Sequence, residues 1–443
     1  MSLEVKALKF LIWSGLAPRV DMVRRRAGEN VPWLKYYSDS VLSGPGENMR
    51  LLRQILATRA KDAHLSTIDL TFGAPEFHTE WADGFAELAD EAFDDMLYGD
   101  EADALTKYPP PMGHPELKRL LSQKMEAEHD VHYDAAREIL IANGASHVLS
   151  LALSTLVNSG DKVVLLDPSY YMYNYMCKLL QARAAWVPTT LQDGYVQLDE
   201  RRLRRAMRGA KVMIVNSPSN PTGCTIPSKV LELIVRLANE HDVLLISDEV
   251  YEYFVYAGKF QSLATVPGAR NRTLVVNSFS KSYRMPAYRV GYVYGPEPLL
   301  QAMTMQQVIQ VPFTSTLNQR FAVRALERQS NIQERANREF LPKREVVLTA
   351  LREAGLEIPP PTGAFYAWVP IRALKMTAHD FAFRLASEQG VLVMPGDDFG
   401  RSGRGHIRLS FGGPIDELRD GMSRIVDFVD HCRHGKQNVL AAS

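Results

Sequence analysis

The stretch VLLISDEV (residues 243–250) begins with four consecutive apolar residues. A serine, two acidic residues and a final valine follow. An apolar run of this length, rich in Leu and Ile, is typical of a β-strand that is covered on both faces. Five further runs share the pattern: EILIANG (138–144), KVVLLDP (162–168), KVMIVNSP (211–218), TLVVNSFS (273–280) and RVGYVYGP (289–296). The repetition predicts a buried central sheet.

Segments with helical periodicity separate several of these runs. SHVLSLALSTLVNSG (146–160) and SKVLELIVRLANEHD (228–242) both place apolar residues near helical spacing. Strands that alternate with helices form βαβ units, because a parallel strand needs a crossover connection. The sequence therefore predicts an α/β fold with a mostly parallel sheet.

The composition is that of an ordinary soluble globular protein. Of 443 residues, 46% are hydrophobic and 23% are charged, and 51 basic residues balance 51 acidic ones. This balance argues against nucleic acid or an anionic membrane as a partner. Three scattered cysteines argue against a disulfide framework or a metal site and favour the cytoplasm. The apolar segment 7–17 is too short to span a bilayer.

The chain divides into a large and a small predicted domain. From about residue 326 the alternating pattern gives way to a charged helical stretch (333–355) and then to short apolar segments. This change predicts a smaller α+β domain. The predicted division is an N-terminal arm over 1–65, a large domain over 85–325, a small domain over 66–84 and 326–433, and a tail over 434–443 that carries no packing signal.

Polar residues stand where the apolar runs end. In open parallel sheets, ligands bind outside the carboxyl ends of the strands. Five runs that end in polar groups therefore predict one site at that edge. The polar residues at or just beyond these ends are Asn143 to Ser146, Asp167 to Tyr170, Asn216, Asn220, Asp248, Tyr251, Ser278, Ser280 and Lys281.

Some of these residues suit an anion such as phosphate. A Gly-Ala-Ser turn opens a helix, whose free N–H groups and positive dipole end favour negative charge. Taken alone, this turn is common, and an arginine alone fits an ordinary ion pair. Together with hydroxyl donors and a guanidinium they indicate an anion pocket. Its predicted members are Gly144, Ala145, Ser146, Ser278, Ser280 and Arg289.

Asp248 and three neighbours suit a heterocyclic ring. A carboxylate at the end of a strand is commonly a helix cap or an ion-pair partner, but it also fits a counter-ion for a protonated ring nitrogen. Tyr251 and Asn220 fit a ring oxygen, or a packed tyrosine and an Asn-Pro turn. Tyr170 fits either an aromatic contact at a strand end or a surface on which a ring stacks.

Lys281 completes the set. A lysine that is partly desolvated and lies near an arginine has a lowered pKa, so its free amine becomes a nucleophile towards carbonyl compounds. A lysine, an anion pocket, an aspartate and a stacking tyrosine are the groups that bind pyridoxal phosphate as a Schiff base.

Three motifs carry a resemblance to a known family: SNPTG (219–223), SDEVYEYF (247–254) and SFSKSYRMPAYRVGY (278–292). With them the chain resembles the class I/II aminotransferases of fold type I, the aspartate aminotransferase superfamily, from about Ile68 to Phe428. The resemblance implies a three-layer fold, with a mostly parallel sheet in the large domain and a smaller α+β domain. It also implies pyridoxal 5'-phosphate as cofactor.

The resemblance implies roles for the ring-binding residues. Lys281 matches the Schiff-base lysine and proton shuttle, and Asp248 the partner of the pyridinium nitrogen. Tyr251 and Asn220 match the ligands of the ring oxygen, and Tyr170 the stacked aromatic residue. The catalytic residues are thus predicted to be Lys281, Asp248 and Tyr251, and the anion pocket matches the phosphate-binding cup.

The resemblance also implies contacts with the substrate and with a second subunit. Arg408 matches the arginine that grips the substrate α-carboxylate, and Gly73 the glycine that lies over the substrate, where Asn220 also contributes. Tyr108 matches a tyrosine lent to the neighbouring subunit's phosphate, which implies a homodimer.

Two features depart from the family pattern. Arg284 stands where many relatives have a small residue, so it either points to solvent or touches the phosphate or an acidic substrate. The segment QVPFTSTLNQ (309–318) lacks the arginine that aspartate-specific relatives use for a side-chain carboxylate.

The predicted function is transfer of an amino group between an α-amino acid and a 2-oxo acid. One alternative is another fold-type-I enzyme with the same cofactor site, such as a carbon–sulfur lyase, a cyclising synthase or an amino-acid oxidase. A requirement for a 2-oxo acid co-substrate distinguishes an aminotransferase from these other fold-type-I enzymes. A third alternative is a non-catalytic sensor, which would normally carry a DNA-binding or partner-binding extension.

Overall fold

The structure is a computed structural model that describes residues 66–71, 73, 75, 87–94, 97, 106–328 and 330–440, with side chains to residue 433. The predicted N-terminal arm (1–65) and all of segment 76–86 lie outside these residues. The described residues all fall within one compact unit, Gln54–Ser443. Within the described residues, no helix is both long and apolar enough to cross a membrane.

The described part of the chain contains a central sheet of eight strands. Their order is β2-β9-β8-β7-β6-β3-β4-β5, and all neighbouring pairs are parallel except β2-β9, β9-β8 and β4-β5. The prediction of a mostly parallel sheet is confirmed, although β9 is antiparallel to both neighbours. The eight strands are β2 (Ile139–Ala142), β3 (Lys162–Asp167), β4 (Arg183–Gln192), β5 (Tyr195–Leu198), β6 (Val212–Asn216), β7 (Leu244–Asp248), β8 (Thr273–Ser278) and β9 (Gly291–Tyr294).

Helices cover both faces of this sheet. Alternate residues of β3 enter different apolar clusters, since Val163 packs with α2 while Val164 packs with α5. This produces three layers, helix on sheet on helix. The helices up to residue 328 are α1 (Pro115–His129), α2 (Ala145–Leu156), α3 (Tyr171–Leu179), α4 (Glu200–Met207), α5 (Ser228–His241), α6 (Phe279–Ser282), α7 (Glu297–Gln310) and α8 (Thr316–Arg328).

The C-terminal part builds two small sheets beside long helices. A three-stranded antiparallel sheet has the order β10-β13-β12, and β1 pairs in parallel with β11. The β1–β11 pair joins the two segments that the sequence assigns to a small domain, whose boundaries stay a prediction. The elements are β1 (Ile68–Asp69), α9 (Ile332–Glu353), β10 (Tyr366–Pro370), α10 (Ala378–Gln389), β11 (Val391–Leu392), β12 (Met394–Pro395), β13 (His406–Ser410) and α11 (Ile415–Leu440).

Local sequence explains how β11 meets β1. The side chain of Thr377 accepts a hydrogen bond from the N–H of Asp380 at 3.0 Å, which caps the first turn of α10. Gly390 ends the helix with φ 72°, a left-handed conformation that costs glycine little. The chain then enters β11, and the N–H of Ile68 donates to the carbonyl of Gly390 at 3.0 Å.

The C-terminal tail differs from expectation. Residues 434–440 continue α11 as a helix up to Leu440, whereas the sequence predicts a frayed tail over 434–443. Helix propagation adds one hydrogen bond for each residue fixed, and no proline interrupts this segment. Residues 441–443 lie outside the described part.

Candidate active site

The carboxyl ends of the parallel strands meet at one edge of the central sheet, as the sequence predicts. Asp248 at the end of β7 lies in register with Asn216 at the end of β6 and with Val276 near the end of β8. The side-chain amide of Asn216 donates to the backbone carbonyl of Asp248 at 2.9 Å. The backbone of three strands therefore fixes the position of Asp248.

Asp248 is a buried carboxylate with one strong hydrogen bond. Its exposed fraction is 4%, and Tyr173 donates its hydroxyl proton to Oδ2 at 2.5 Å. Burial raises the pKa of Asp248 to about 6, against the opposing effects of this bond, of the N–H of Val250 and of the Lys281 charge. A carboxylate held this way suits a cationic partner, which would restore its ordinary pKa.

Lys281 lies in α6, one short helix beyond the end of β8. Its ammonium donates to the carbonyl oxygen of Gly73. Burial, with the nearby charges of Arg408 and Arg289, lowers the pKa of Lys281 to about 8, and Asp248 only partly offsets this. A substantial fraction of this lysine is therefore a neutral amine near pH 8.

Arg408 on β13 is buried in the same region. Nη1 donates to Oδ1 of Asn220 at 2.9 Å and Nη2 donates to the carbonyl of Thr71 at 2.6 Å. The guanidinium lies 4.5 Å from the ring centre of Tyr366. Its Nε is buried without a hydrogen-bond partner. This free N–H is what a bound carboxylate would satisfy.

A pair of tyrosine hydroxyls adjoins this cluster. The hydroxyls of Tyr251 and Tyr366 lie 2.8 Å apart, and both side chains are buried. Burial raises the pKa of Tyr251 well above its ordinary value, so this phenol stays protonated. The ring of Tyr170 lies edge-on to that of Tyr173, with 5.5 Å between their centres. Aromatic surface and hydroxyl donors thus surround the space beside Asp248.

The predicted anion pocket lies where α2 begins. Gly144 precedes α2 with φ 85°, and a Cβ there would collide with the guanidinium of Arg289. Ser278 accepts from the N–H of Ser280 at 3.0 Å and donates to its hydroxyl at 2.9 Å. Arg289 donates to the carbonyl of Asn143 at 3.4 Å. The glycine thus leaves a cradle for the guanidinium beside the first N–H groups of α2.

These features fit the pyridoxal phosphate that the sequence implies. The cradle at Gly144 provides donors for a phosphate, the buried carboxylate of Asp248 suits a ring cation, and the amine of Lys281 suits an aldehyde carbon. Each of these groups is matched by a feature of the described residues, so this chain can hold the cofactor in the way the resemblance implies.

Two predicted positions lie apart from this cluster. Tyr108 is 85% exposed, and its ring stacks on that of Phe313 with 4.9 Å between centres. Arg284 does not point to solvent, which corrects that interpretation of the sequence. It is buried and forms an ion pair with Glu339 on α9. Its backbone is left-handed, with φ 55°.

Sequence reasoning did not single out Tyr173 and Tyr366. Tyr173 follows Tyr170 by about one helical turn, and this spacing is the signal that could have found it. Tyr366 lies in the segment PPTGAFY (360–366), which the resemblance places near the site without a role for any one residue. Its position depends on β10 pairing with β13, where Tyr366 faces Ser410 and Trp368 faces Arg408.

Comparisons with known proteins identify the family. Residues 68–425 match the family described as aminotransferase class I and II. The chain is 33% identical to an aspartate aminotransferase of Pyrococcus abyssi over 362 residues, which cover 81% of this chain and 90% of that protein. It is 32% identical to aromatic-amino-acid aminotransferase 2 of Thermococcus litoralis, with the same coverage of the two chains.

Solved structures agree with this result. A mutant aspartate aminotransferase of Thermus thermophilus superposes with a TM-score of 0.80 and 31% identity, covering 88% of this chain and 99% of that one. The predictions of fold type I, of the enzyme class and of the cofactor are confirmed. The chain belongs to the class I and II aminotransferases and is a pyridoxal-phosphate-dependent enzyme that acts on amino acids and 2-oxo acids.

Proposed function

We propose that Lys281 is the residue that bonds to pyridoxal phosphate and carries the substrate Cα proton. The observation that supports this most directly is its lowered pKa of about 8, next to the buried acid Asp248. An amine with such a pKa has a substantial neutral fraction near pH 8, and this fraction can attack a carbonyl carbon and, once released, can accept a proton. An ordinary lysine, with its pKa near 10.4, is almost wholly protonated there.

Asp248, Tyr251, Asn220 and Tyr170 hold the cofactor ring in this proposal. Asp248 faces the ring nitrogen and keeps it protonated, and Tyr251 and Asn220 contact the ring oxygen. Tyr170 stacks on the ring. When bound, the ring supplies a sink for the electrons that the substrate Cα releases. The burial of Asp248 supports its role, because a desolvated carboxylate attracts a cation more strongly than one in water.

The phosphate end is proposed to lie at the start of α2. Free N–H groups in the first turn of a helix and a guanidinium fork bind phosphate oxygens without any further group. The collision that a Cβ at Gly144 would cause supports this position. The proposed phosphate ligands are Gly144, Ala145, Ser146, Ser278, Ser280 and Arg289.

The substrate α-carboxylate is proposed to bind to Arg408. Its unpartnered Nε and the fixed position of its other two nitrogens support this role, since a carboxylate binds a guanidinium through two parallel bonds. Asn220 holds the guanidinium, and Gly73 lies beside the amine of Lys281. These contacts orient Cα towards the amine that removes its proton.

The active enzyme is proposed to be a cytoplasmic homodimer in which Tyr108 reaches the partner subunit's phosphate. The exposure of Tyr108 supports this. A row of exposed apolar side chains near the end of α7 also supports it, since Met305, Val308 and Ile309 are 70%, 47% and 76% exposed. The three cysteines are buried free thiols, which supports a reducing compartment.

A half-reaction screen tests this proposal. The purified protein is loaded with pyridoxal phosphate, and its visible absorbance is followed as single amino acids are added without any 2-oxo acid. Loss of the visible band with some amino acids, and its return on adding a 2-oxo acid, is the expected result. Aspartate and aromatic amino acids, which occur in the names of the relatives, are tried first.

The same screen with Lys281→Ala serves as the control. This variant is expected to show no pH-sensitive visible band. A wild-type protein that gains no such band with added pyridoxal phosphate would contradict the proposed role of Lys281. A wild type that turns over amino acids steadily without any 2-oxo acid would contradict transamination.

A further inference from the structure

Tyr366 on β10 touches several residues of the proposed site, although it has no part in the roles proposed so far. Its side chain is 1% exposed, and its hydroxyl lies 2.8 Å from that of Tyr251. The two rings are nearly perpendicular, with 5.7 Å between centres. The hydroxyl groups of Tyr251 and Tyr366 are therefore within hydrogen-bonding distance, in addition to the contact between the two rings.

The ring of Tyr366 also contacts Arg408, the proposed ligand of the substrate α-carboxylate. The guanidinium carbon of Arg408 lies 4.5 Å from its centre, and the ring of Phe399 is 5.0 Å from the same carbon. A buried guanidinium beside aromatic rings is stabilised by the negative face of the ring. Tyr366 thus restrains the guanidinium, together with the two hydrogen bonds to Asn220 and Thr71.

A third contact explains why a glycine occupies position 73. A Cβ at Gly73 would collide with the hydroxyl oxygen of Tyr366. The carbonyl of the same residue accepts the hydrogen bond from Lys281. Tyr366 therefore touches Tyr251 on the cofactor side, Arg408 on the substrate side and the backbone that contacts the reactive amine.

We propose that Tyr366 is a positioning residue, which strengthens the hydrogen bond that Tyr251 gives to the cofactor and holds Arg408 in place for the substrate. This inference rests on the roles proposed above for Tyr251 and Arg408. When Tyr366 donates its proton to the oxygen of Tyr251, the proton of Tyr251 is left for the cofactor ring oxygen. Hydrogen bonds in such a chain polarise and strengthen one another.

The expected effect has a definite sign. A hydrogen-bond donor to the ring oxygen reduces the negative charge there. The proton on the adjacent Lys281 nitrogen is then less stabilised, and the pKa of that nitrogen is lower. Removing the hydroxyl of Tyr366 weakens the donor, and the proton is then lost at higher pH. The pH midpoint of the visible absorbance should rise in Tyr366→Phe by about 0.5 to 1 unit, the size expected for one neutral hydrogen bond.

Two variants of Tyr366 separate its two contacts. Tyr366→Phe keeps the ring under Arg408, so the KM for α-amino acids should change less than about threefold. Tyr366→Leu removes the ring as well and should raise this KM by about tenfold, as expected for loss of a desolvated cation–π contact. A double-mutant cycle completes the test: in a Tyr251→Phe background, Tyr366→Phe should no longer shift the midpoint.

Tyr292→Phe is the matched control. Tyr292 on β9 is fully buried, its hydroxyl has no hydrogen-bond partner, and it lies outside the proposed site. Its loss should leave the midpoint and the KM unchanged. A wild type that binds pyridoxal phosphate and titrates, with the midpoint of Tyr366→Phe unchanged or lowered, would overturn the role of Tyr366 alone. A wild type without any visible band would overturn the proposed function and this inference with it.

Discussion

Lys281 and Lys124 both have a shifted pKa, and the two shifts differ in sign because the neighbours of the two amines differ. Burial, with the nearby charges of Arg408 and Arg289, lowers the pKa of Lys281 to about 8. Lys124 on α1 contacts Glu252 at 2.9 Å and Glu128 at 3.0 Å. Burial alone would lower the pKa of Lys124, but these carboxylates outweigh it and raise that pKa well above its ordinary value. Burial lowers the pKa of both amines; the neighbouring carboxylates reverse this for Lys124, whereas the neighbouring cations add to it for Lys281.

The same short segment supplies groups to both lysines. Asp248 ends β7 and residues 250–253 form turns after it, so the side chains of this segment leave in different directions. Asp248 and Tyr251 face the Lys281 site, whereas Glu252 contacts Lys124 and Tyr253 donates to Glu128 at 2.6 Å. We call Lys124, Glu128, His129 and Glu252 the Lys124 cluster. Its three potential metal ligands lie close together, but the ammonium of Lys124 already contacts both carboxylates.

The largest expected effect separates the two lysines by activity. Lys281→Ala should lower turnover at least about a thousandfold, since losing ~4 kcal/mol of transition-state stabilisation has that consequence. Lys124→Met should leave turnover per folded molecule within about threefold, because the Lys124 cluster touches none of the proposed ligands. Steady-state kinetics on samples whose folded fraction is measured by circular dichroism provide the test.

A large fall in kcat for folded Lys124→Met would break the comparison, because it would place the Lys124 cluster in the catalytic machinery. Near-normal turnover in Lys281→Ala would also contradict the comparison, because it would exclude Lys281 from the catalytic residues. Either result would show that the pKa difference between the two amines does not follow their function.

The second prediction concerns stability. Glu252→Gln should lower the free energy of unfolding at pH 7 by about 3 kcal/mol, because it leaves Lys124 buried with only the half-exposed Glu128 as partner. Burial raises the pKa of Glu252, but Lys124 and His129 together outweigh burial, so the pKa falls below its ordinary value of 4.5. The folded protein thus gains stability from ionised Glu252 above that pH and loses the gain as pH falls below it.

Denaturant unfolding at several pH values tests this sign. The difference in unfolding free energy between wild type and Glu252→Gln should be largest at neutral pH and should shrink below about pH 4.5. Glu345→Gln is the control, since Glu345 pairs with Arg344 at the surface and should change stability by less than about 0.5 kcal/mol. A difference that grows towards acid would contradict the ion-pair account.

These two regions also show how far the sequence alone reaches. The apolar runs predict the sheet, and the polar ends predict Asp248, Lys281 and the anion pocket, because strand ends of a parallel sheet must converge. SDEVYEYF does not reveal that Tyr251 and Glu252 face opposite ways, since a turn has no fixed side-chain period. Nor does it reveal Tyr366 or the Arg284–Glu339 pair, which join segments far apart in sequence.

The third prediction changes the neighbours of Lys281 and leaves the lysine intact. Arg408→Gln should raise the pKa of Lys281, because it removes a nearby positive charge. The rate of amine modification in the cofactor-free protein should then show a midpoint above the wild-type value of about 8. The KM for α-amino acids should rise by about 10- to 100-fold through loss of charge-assisted hydrogen bonds, while simple amines are little affected.

Arg404→Gln is the control for this experiment, since Arg404 lies near the start of β13 and is exposed. It should change neither the midpoint nor the KM. If Arg408→Gln left the midpoint near 8, Arg408 would not contribute to the low pKa of Lys281, and only burial and Arg289 would remain as its causes. If KM rose equally for amines and amino acids, Arg408 would not be the carboxylate clamp.

The smallest expected effect compares two tyrosine hydroxyls that donate to carboxylates. The bond from Tyr173 opposes the effect of burial on Asp248, so Tyr173→Phe should raise the pKa of that carboxyl above about 6. A larger fraction of Asp248 is then protonated near neutral pH and holds the ring cation less well. The Kd for pyridoxal phosphate should rise about 1.5-fold at pH 7 and about threefold at pH 6, and should approach the fivefold of one hydrogen bond of ~1 kcal/mol only at lower pH.

Tyr253→Phe removes the corresponding hydroxyl from the Lys124 cluster, where Tyr253 donates to Glu128. It should leave the Kd for pyridoxal phosphate unchanged at both pH values, because Glu128 is on the far side of the segment from Asp248. Equilibrium titration of the cofactor-free proteins compares the two variants directly. Equal effects of Tyr173→Phe and Tyr253→Phe would mean that the hydrogen bond from Tyr173 does not lower the pKa of Asp248. Loosening of the turn after β7, which both regions share, would then be the cause.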